Sequence, residues 1–154
     1  MALNIVLVYP EIPNNTGNIG RLSLAVGARL HLIKPFGFEL SDKRVKRAGL
    51  DYWKHVDLHI YESWEEFVAK NTDAQLALLS ARVDQSYLDI PFQKDIYLVF
   101  GQESVGLPTT ITDQYPTQQY RIPIVSKHIR SLNLANAVSI VSYEGLRKIS
   151  SESA

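Results

Sequence analysis

The sequence predicts an α/β domain with a mostly parallel central sheet flanked by helices. Two observations carry that expectation. Short apolar runs rich in β-branched residues, such as "LNIVLVY" (3–9), "QLALLS" (75–80) and "DIYLVFG" (95–101), alternate with stretches of helical character. Residues suited to turning or binding gather just past those runs, in "PEIPNNTGNIGR", "SARVDQ", "GQESVG" and "IPIVSKHIRSLN". Parallel sheets collect ligands beyond the C-terminal ends of their strands, so these loops are the first place to look for chemistry.

Taken in order, "LNIVLVY" reads as a buried strand and "PEIPNNTGNIG" as a turn-rich loop. "GNIGRLSLAVG" follows as a helix closed by Gly27, with Asn14, Asn15 and Thr16 ahead of its start and Arg21 inside it. "RLHLIKP" is a second strand ended by Pro35, "SDKRVKRAGLDYW" a basic helical turn or loop, and "DLHIY" a third strand. "SWEEFVAK" opens on a capping box, Ser63 to Glu66, and predicts a helix. "QLALLS", "DIYLVFG" and "QQYRIPI" complete the strands. A last helix is expected from about Ser131 to Lys148, with Ser131 as its N-cap.

Length and composition bound the function. The 154 residues suit one domain over 1–154, and 45% apolar with 21% charged residues fits a soluble globular chain. Sixteen basic residues balance sixteen acidic ones, so a polyanionic partner has to be argued from local clustering. With no cysteine, disulfides, thiolate zinc sites and cysteine nucleophiles are excluded. No apolar run is long enough to span a membrane, and the N-terminus lacks the features of a signal peptide. A cytoplasmic location is expected.

Familiar motifs fail on inspection. "TGNIGR" offers G-x-x-G rather than G-x-G-x-x-G, and the second strand ends in Lys34-Pro35 without a ribose-binding carboxylate. A P-loop is absent. His55 and His59 stand four apart, but no glutamate follows the first, so a surface pair is expected rather than a metal site. In "GQESVG", Gln102 occupies the place of the first glycine that a nucleophile elbow requires.

The loops hold better candidates. Gly101 allows a turn or a close approach where "DIYLVF" ends, and Glu103 just beyond it can pair with a cation or accept from hydroxyls. Arg21 supplies a forked donor for phosphate or carboxylate near a helix N-terminus. Asn133 offers both donor and acceptor groups. Lys43, Arg44, Lys46 and Arg47 form a basic cluster suited either to phosphate contact or to a solvated face.

The ordered set "NTGNIGR" (15–21), "GQESVGLP" (101–108), "RIP" (121–123), "SLN" (131–133) and "YE" (143–144) resembles the SPOUT RNA 2'-O-methyltransferases. "PEIPNNTGNIGRL", "LHLIKPFGF" and "DKRVKRAGLDY" extend the resemblance to the small TrmL-type (YibK-like) group, from Ile5 to about Arg147. Gln102 departs from the proline that many members carry there.

The resemblance implies S-adenosyl-L-methionine as methyl donor and S-adenosyl-L-homocysteine as product, with no metal. It implies the wobble nucleotide (position 34) of tRNA as target, bound through the anticodon stem-loop, with no membrane partner. It also implies a homodimer and a C-terminal trefoil knot, a feature chains otherwise avoid. By the same resemblance, Asn15, Arg21, Glu103, Ser131 and Asn133 match catalytic positions, and Leu79, Gly101, Ile122 and Ser131 match cofactor-lining ones. The cluster Lys43, Arg44, Lys46 and Arg47, with Lys127, Arg130 and Tyr143, is assigned to RNA. Rival readings are a methyltransferase of the same fold acting on ribosomal RNA or another tRNA position, a non-catalytic RNA-binding protein, and a nucleotide-dependent oxidoreductase.

Overall fold

The computed structural model describes residues 3–41 and 43–153. Six strands, β1 (Leu3–Val8), β2 (Ala28–Ile33), β3 (Leu58–Tyr61), β4 (Leu76–Leu79), β5 (Ile96–Phe100) and β6 (Gln119–Tyr120), pair in the order β3-β2-β1-β5-β4-β6. Every pairing is parallel, with Val6 opposite His31 on one side and Val99 on the other. The described residues include five α-helices: α1 (Pro13–Val26), α2 (Lys43–Gly49), α3 (Trp64–Lys70), α4 (Thr109–Thr112) and α5 (Leu134–Ser153).

The period of two along β1 divides the core. Leu3, Ile5 and Leu7 pack with Ile19 of α1 and with Val138 and Val141 of α5. Val6 and Val8 pack on the other face, with Trp64 and Phe67 of α3 and Ile111 of α4. All six residues of β1 are buried, as a strand covered on both faces requires. Gly145 lets α5 lie close against this centre: a Cβ there would stand 2.9 Å from the Phe92 ring and 3.2 Å from Leu3 Cδ2.

Three boundaries differ from the sequence reading. Helix α1 begins at Pro13, so Asn14, Asn15 and Thr16 lie in its first turn rather than before it. Pro13 suits that first position, but Ile12 supplies no side-chain cap, and the capping group comes from a distant loop. Helix α5 begins at Leu134 and runs to Ser153. Its cap is Asn133, whose Oδ1 accepts from the Asn136 amide at 3.2 Å, and not Ser131. "QQYRIPI" yields only the two-residue strand β6, followed by a bridge from Arg121 to Ser86, because Pro123 cannot donate to a ladder. The capping box on α3 forms with a shift: Ser63 Oγ accepts from the Glu66 amide, while the Glu66 carboxylate accepts from Glu62 N rather than Ser63 N.

His31 on β2 is buried with its ring satisfied as the neutral form. Nε2 donates to Asn4 Oδ1 and Nδ1 accepts from the Tyr61 hydroxyl, both at 2.9 Å. Burial first, then the neighbouring His59 and Arg29, hold its pKa down to about 3 from an ordinary 6.5. The unfolded chain therefore binds the proton that the folded one refuses. This contribution to stability is complete above pH 6.5 and declines as pH falls from 6.5 towards 3, by about 1.4 kcal/mol per unit well inside that window. NMR titration should find the His31 imidazole still neutral at pH 5; protonation near its ordinary value would contradict this.

Candidate functional site

The sheet order reverses between β1 and β5, since β2 and β3 lie to one side of β1 while β4 and β6 lie beyond β5. The loops leaving β1 and β5 therefore diverge to form the crevice where such sheets hold ligands. Two carboxylates tie those loops together. Glu103, from the β5 loop, accepts from the Glu11 amide at 2.9 Å and the Ile12 amide at 2.8 Å. It thus supplies the missing cap of α1, and its charge suits the positive end of the helix. Glu11, from the β1 loop, returns the contact by accepting from Ser104 N at 2.9 Å and Ser104 Oγ at 2.7 Å. The Ser104 hydroxyl and amide hold the Glu11 carboxyl below its ordinary range.

The same Glu103 carboxylate begins a chain of amides. Asn15 Nδ2 donates to Glu103 Oε2 at 3.3 Å, and Asn133 Nδ2 donates to Asn15 Oδ1 at 3.1 Å. Asn133 in turn caps α5. Three residues singled out from separate parts of the sequence, Asn15, Glu103 and Asn133, thus form one hydrogen-bonded line. The Glu11 and Ile12 amides that lead into this helix, where an external anion was expected, are already taken by Glu103.

A cavity of about 290 Å³ opens beside this line, with Glu103 on its wall. Leu79, Gly101, Ile122 and Ser131, drawn from four chain segments, all line it. Phe100 and Tyr120 add aromatic surface, and Arg82, Arg121 and Arg130 bring cationic groups to the lining. Ser131, freed from capping α5, is part of this wall. The shape of the wall depends on Gly101. A Cβ at that position would stand 2.1 Å from Gly106 C and 2.2 Å from Leu107 N, which no backbone tolerates. The loop doubles back through a pair of bonds between Gln102 and Gly106, and Gly106 takes a left-handed φ of 72°.

Two positioning contacts escaped the sequence reading. Glu11 was visible in "PEIP" as an acid ahead of a helix, but its partner lies 93 residues away. Arg82 donates from Nη2 to the Leu107 carbonyl at 2.6 Å, joining the β4 and β5 loops; only its place in a strand-end loop hinted at it.

Arg21 stands apart from the cavity wall. It leaves α1 six residues after Asn15, about 9 Å further along the helix axis and on a different face. Its guanidinium lies over the Tyr52 ring, 5.0 Å from the centroid. Helix α2 packs along α1, and Lys43, Arg44 and Arg47 are exposed on it; the Lys46 side chain lies outside the described residues. Lys127 and Arg130 are exposed in the loop before α5, and Tyr143 is exposed on α5 itself. His59 pairs with Asp57 at 2.8 Å and stacks on His31, so it belongs to the sheet rather than to this site. Among the described residues no helix is long and apolar enough to cross a membrane.

The family model described as "SpoU rRNA Methylase family" matches residues 2–143. A curated "tRNA (cytidine(34)-2'-O)-methyltransferase" of Methylovorus glucosotrophus is 43% identical over 146 residues, covering 94% of this chain and 94% of that protein. A solved structure described as "Structural insights into the 2-OH methylation of C/U34 on tRNA" superposes with a TM-score of 0.92 at 43% identity, covering 97% of each chain. An AdoMet-bound rRNA methyltransferase from Sinorhizobium meliloti shares the fold, with a TM-score of 0.86 at 24% identity over 95% of this chain and 56% of that one.

Proposed function

The chain belongs to the SpoU rRNA Methylase family, and from that premise we propose that it methylates the ribose 2'-hydroxyl of nucleotide 34 in tRNA, with S-adenosylmethionine as donor. One observation carries the reading: Glu103, which anchors the line through Asn15 to Asn133, lies on the wall of a cavity that Leu79, Gly101, Ile122 and Ser131 share. The cavity suits the donor's chemistry. Apolar and aromatic surface from Leu79, Phe100, Tyr120 and Ile122 would accept the adenine and the carbon groups around the sulfonium, while polar groups at the rim would fix orientation.

The donor, when bound, supplies a methyl group on a positively charged sulfur. The tasks left to the protein are alignment, control of the hydroxyl proton and a grip on the RNA backbone. Arg21 cannot serve as the base, because a guanidinium stays protonated far above neutral pH. It anchors the phosphate next to the target ribose and steadies the oxygen as negative charge develops there. Glu103 has its carboxylate committed to Glu11, Ile12 and Asn15, so it positions Asn15 rather than accepting a proton. Asn133, held by Asn15, and Ser131 on the cavity wall orient the hydroxyl and the donor's amino-acid end.

Several further features belong to the same proposal. One SPOUT domain spans residues 1–154, works as a homodimer in the cytoplasm and carries a trefoil knot. What supports the knot is the path of the chain, which leaves β6 at one edge of the sheet and returns so that α5 packs on β1, β5 and α1. Tyr143, exposed on α5, faces the RNA together with Lys127 and Arg130. Ribosomal RNA is a weaker candidate, because the rRNA enzyme above is far more distant than the tRNA one.

The cluster Lys43, Arg44, Lys46 and Arg47 grips the tRNA backbone from α2, beside the helix that bears Arg21. Neutralising the four should weaken tRNA binding and reduce the slope of log K against log salt by about 0.7–0.9 for each phosphate no longer neutralised. An unchanged slope would remove α2 from the RNA interface. The functional reading is tested by incubating the protein with labelled S-adenosylmethionine and total tRNA, then mapping the labelled nucleoside. Label in 2'-O-methylated nucleotide 34 is expected; label elsewhere, or none, refutes it.

A further inference from the structure

We infer that Tyr52 is a positioning residue for Arg21, holding the guanidinium in place for the transfer reaction while leaving all its N–H donors available. The role rests on the functional reading above, in which Arg21 meets the RNA backbone and the target oxygen.

Arg21 is exposed on α1 and carries a long side chain with many rotamers, so an unsupported guanidinium would sweep a wide volume. A carboxylate partner would hold it, but would also occupy the forked donors and cancel the charge that a phosphate needs. Among the described residues no acid pairs with Arg21; its partner is the Tyr52 ring, 5.0 Å below the guanidinium carbon. Stacking on an aromatic face restrains the plane of the group and uses none of its edge donors. Tyr52 is itself 44% exposed, so the pair is open to a substrate arriving from outside.

The placement of Tyr52 is built into the fold. It lies in the 3-10 turn Leu50–His55, next to Trp53, and Trp53 is pressed against α1 at Gly20. A Cβ on Gly20 would stand 2.5 Å from Trp53 Cζ3 and 2.9 Å from Cε3, so only glycine lets the ring lie this close to the helix. Gly20 immediately precedes Arg21, and Tyr52 immediately precedes Trp53. One close approach thereby sets two neighbouring residues against each other. The second glycine of "TGNIGR", which resembled a nucleotide loop, meets a packing need that places a ring beneath an arginine.

The test compares Tyr52→Leu with Tyr52→Phe in the full-length protein. Tyr52→Leu should lower kcat for tRNA methylation roughly 3- to 10-fold with the KM for S-adenosylmethionine unchanged, and Tyr52→Phe should stay near the unaltered protein. In NMR spectra, the ring-current shift on the Arg21 side-chain protons should vanish in Tyr52→Leu and persist in Tyr52→Phe. Gly20→Ala gives a second route, and should lose the same shift by displacing Trp53. Unaltered kcat in Tyr52→Leu, or an equal fall in both Tyr52 variants, overturns the positioning role. If the unaltered protein keeps the ring-current shift but transfers no methyl group to tRNA, the functional reading falls and the positioning role falls with it.

Discussion

Arg21→Ala should lower the rate of tRNA methylation by about 10²- to 10³-fold, to near background, with the fold and the affinity for S-adenosylmethionine retained. The size of the effect follows from what the guanidinium is asked to do. Among the described residues the fold places it against an aromatic ring rather than an acid, and its helix α1 packs along the basic helix α2. On the proposed reading, its loss removes both a phosphate anchor and a source of charge stabilisation at the attacking oxygen. The side chain is exposed, so stability should change by no more than about 0.5 kcal/mol. Arg21→Lys keeps the charge but loses the planar fork and the stacking, and should fall between the two. Denaturation curves, calorimetric titration with S-adenosylmethionine and single-turnover rates on tRNA separate these contributions. An Arg21→Ala protein with full single-turnover activity would exclude the role.

Gly101→Ala should abolish the cavity as a binding site. The added methyl would have to occupy space within 2.1–2.2 Å of the Gly106 and Leu107 backbone, and no rotamer change relieves a clash with main chain. The loop must therefore open, taking with it the wall that carries Glu103 and Leu107 and the Arg82 bond to Leu107 O. Overpacking of this kind costs about 1–3 kcal/mol of stability. The larger consequence is a loss of S-adenosylmethionine affinity of more than about tenfold. Because Glu103 also caps α1 and holds Asn15, residual catalysis at saturating donor should fall as well. Calorimetry on the variant decides the point; wild-type affinity would show that the loop does not form the donor site.

Much of the fold was legible because parallel strands announce themselves locally. "LNIVLVY" and "DIYLVFG" carry their identity in composition, and both form neighbouring central strands. The starts of α1 and α5 were not, for different reasons. Sequence reading seeks a cap within a few residues, whereas α1 is capped by Glu103, 91 residues from the Ile12 amide it accepts. Asn133 was assigned a ligand role and turned out to cap α5 as well, which released Ser131 to the cavity. The candidate site residues stand out by their residue types and their order along the chain. Their connection from Glu103 through Asn15 to Asn133 depends on which strands lie side by side, and no local pattern encodes that. The same limit hid Glu11, Arg82 and Tyr52, whose partners are remote in sequence and close in space.

Methyl transfer to synthetic anticodon stem-loops tests the central claim most directly. One substrate carries ribose at every position; others carry deoxyribose at nucleotide 33, 34 or 35 alone. Transfer from labelled S-adenosylmethionine should vanish when nucleotide 34 lacks its 2'-hydroxyl and persist with the other two. Continued labelling of the 34-deoxy substrate would contradict the account.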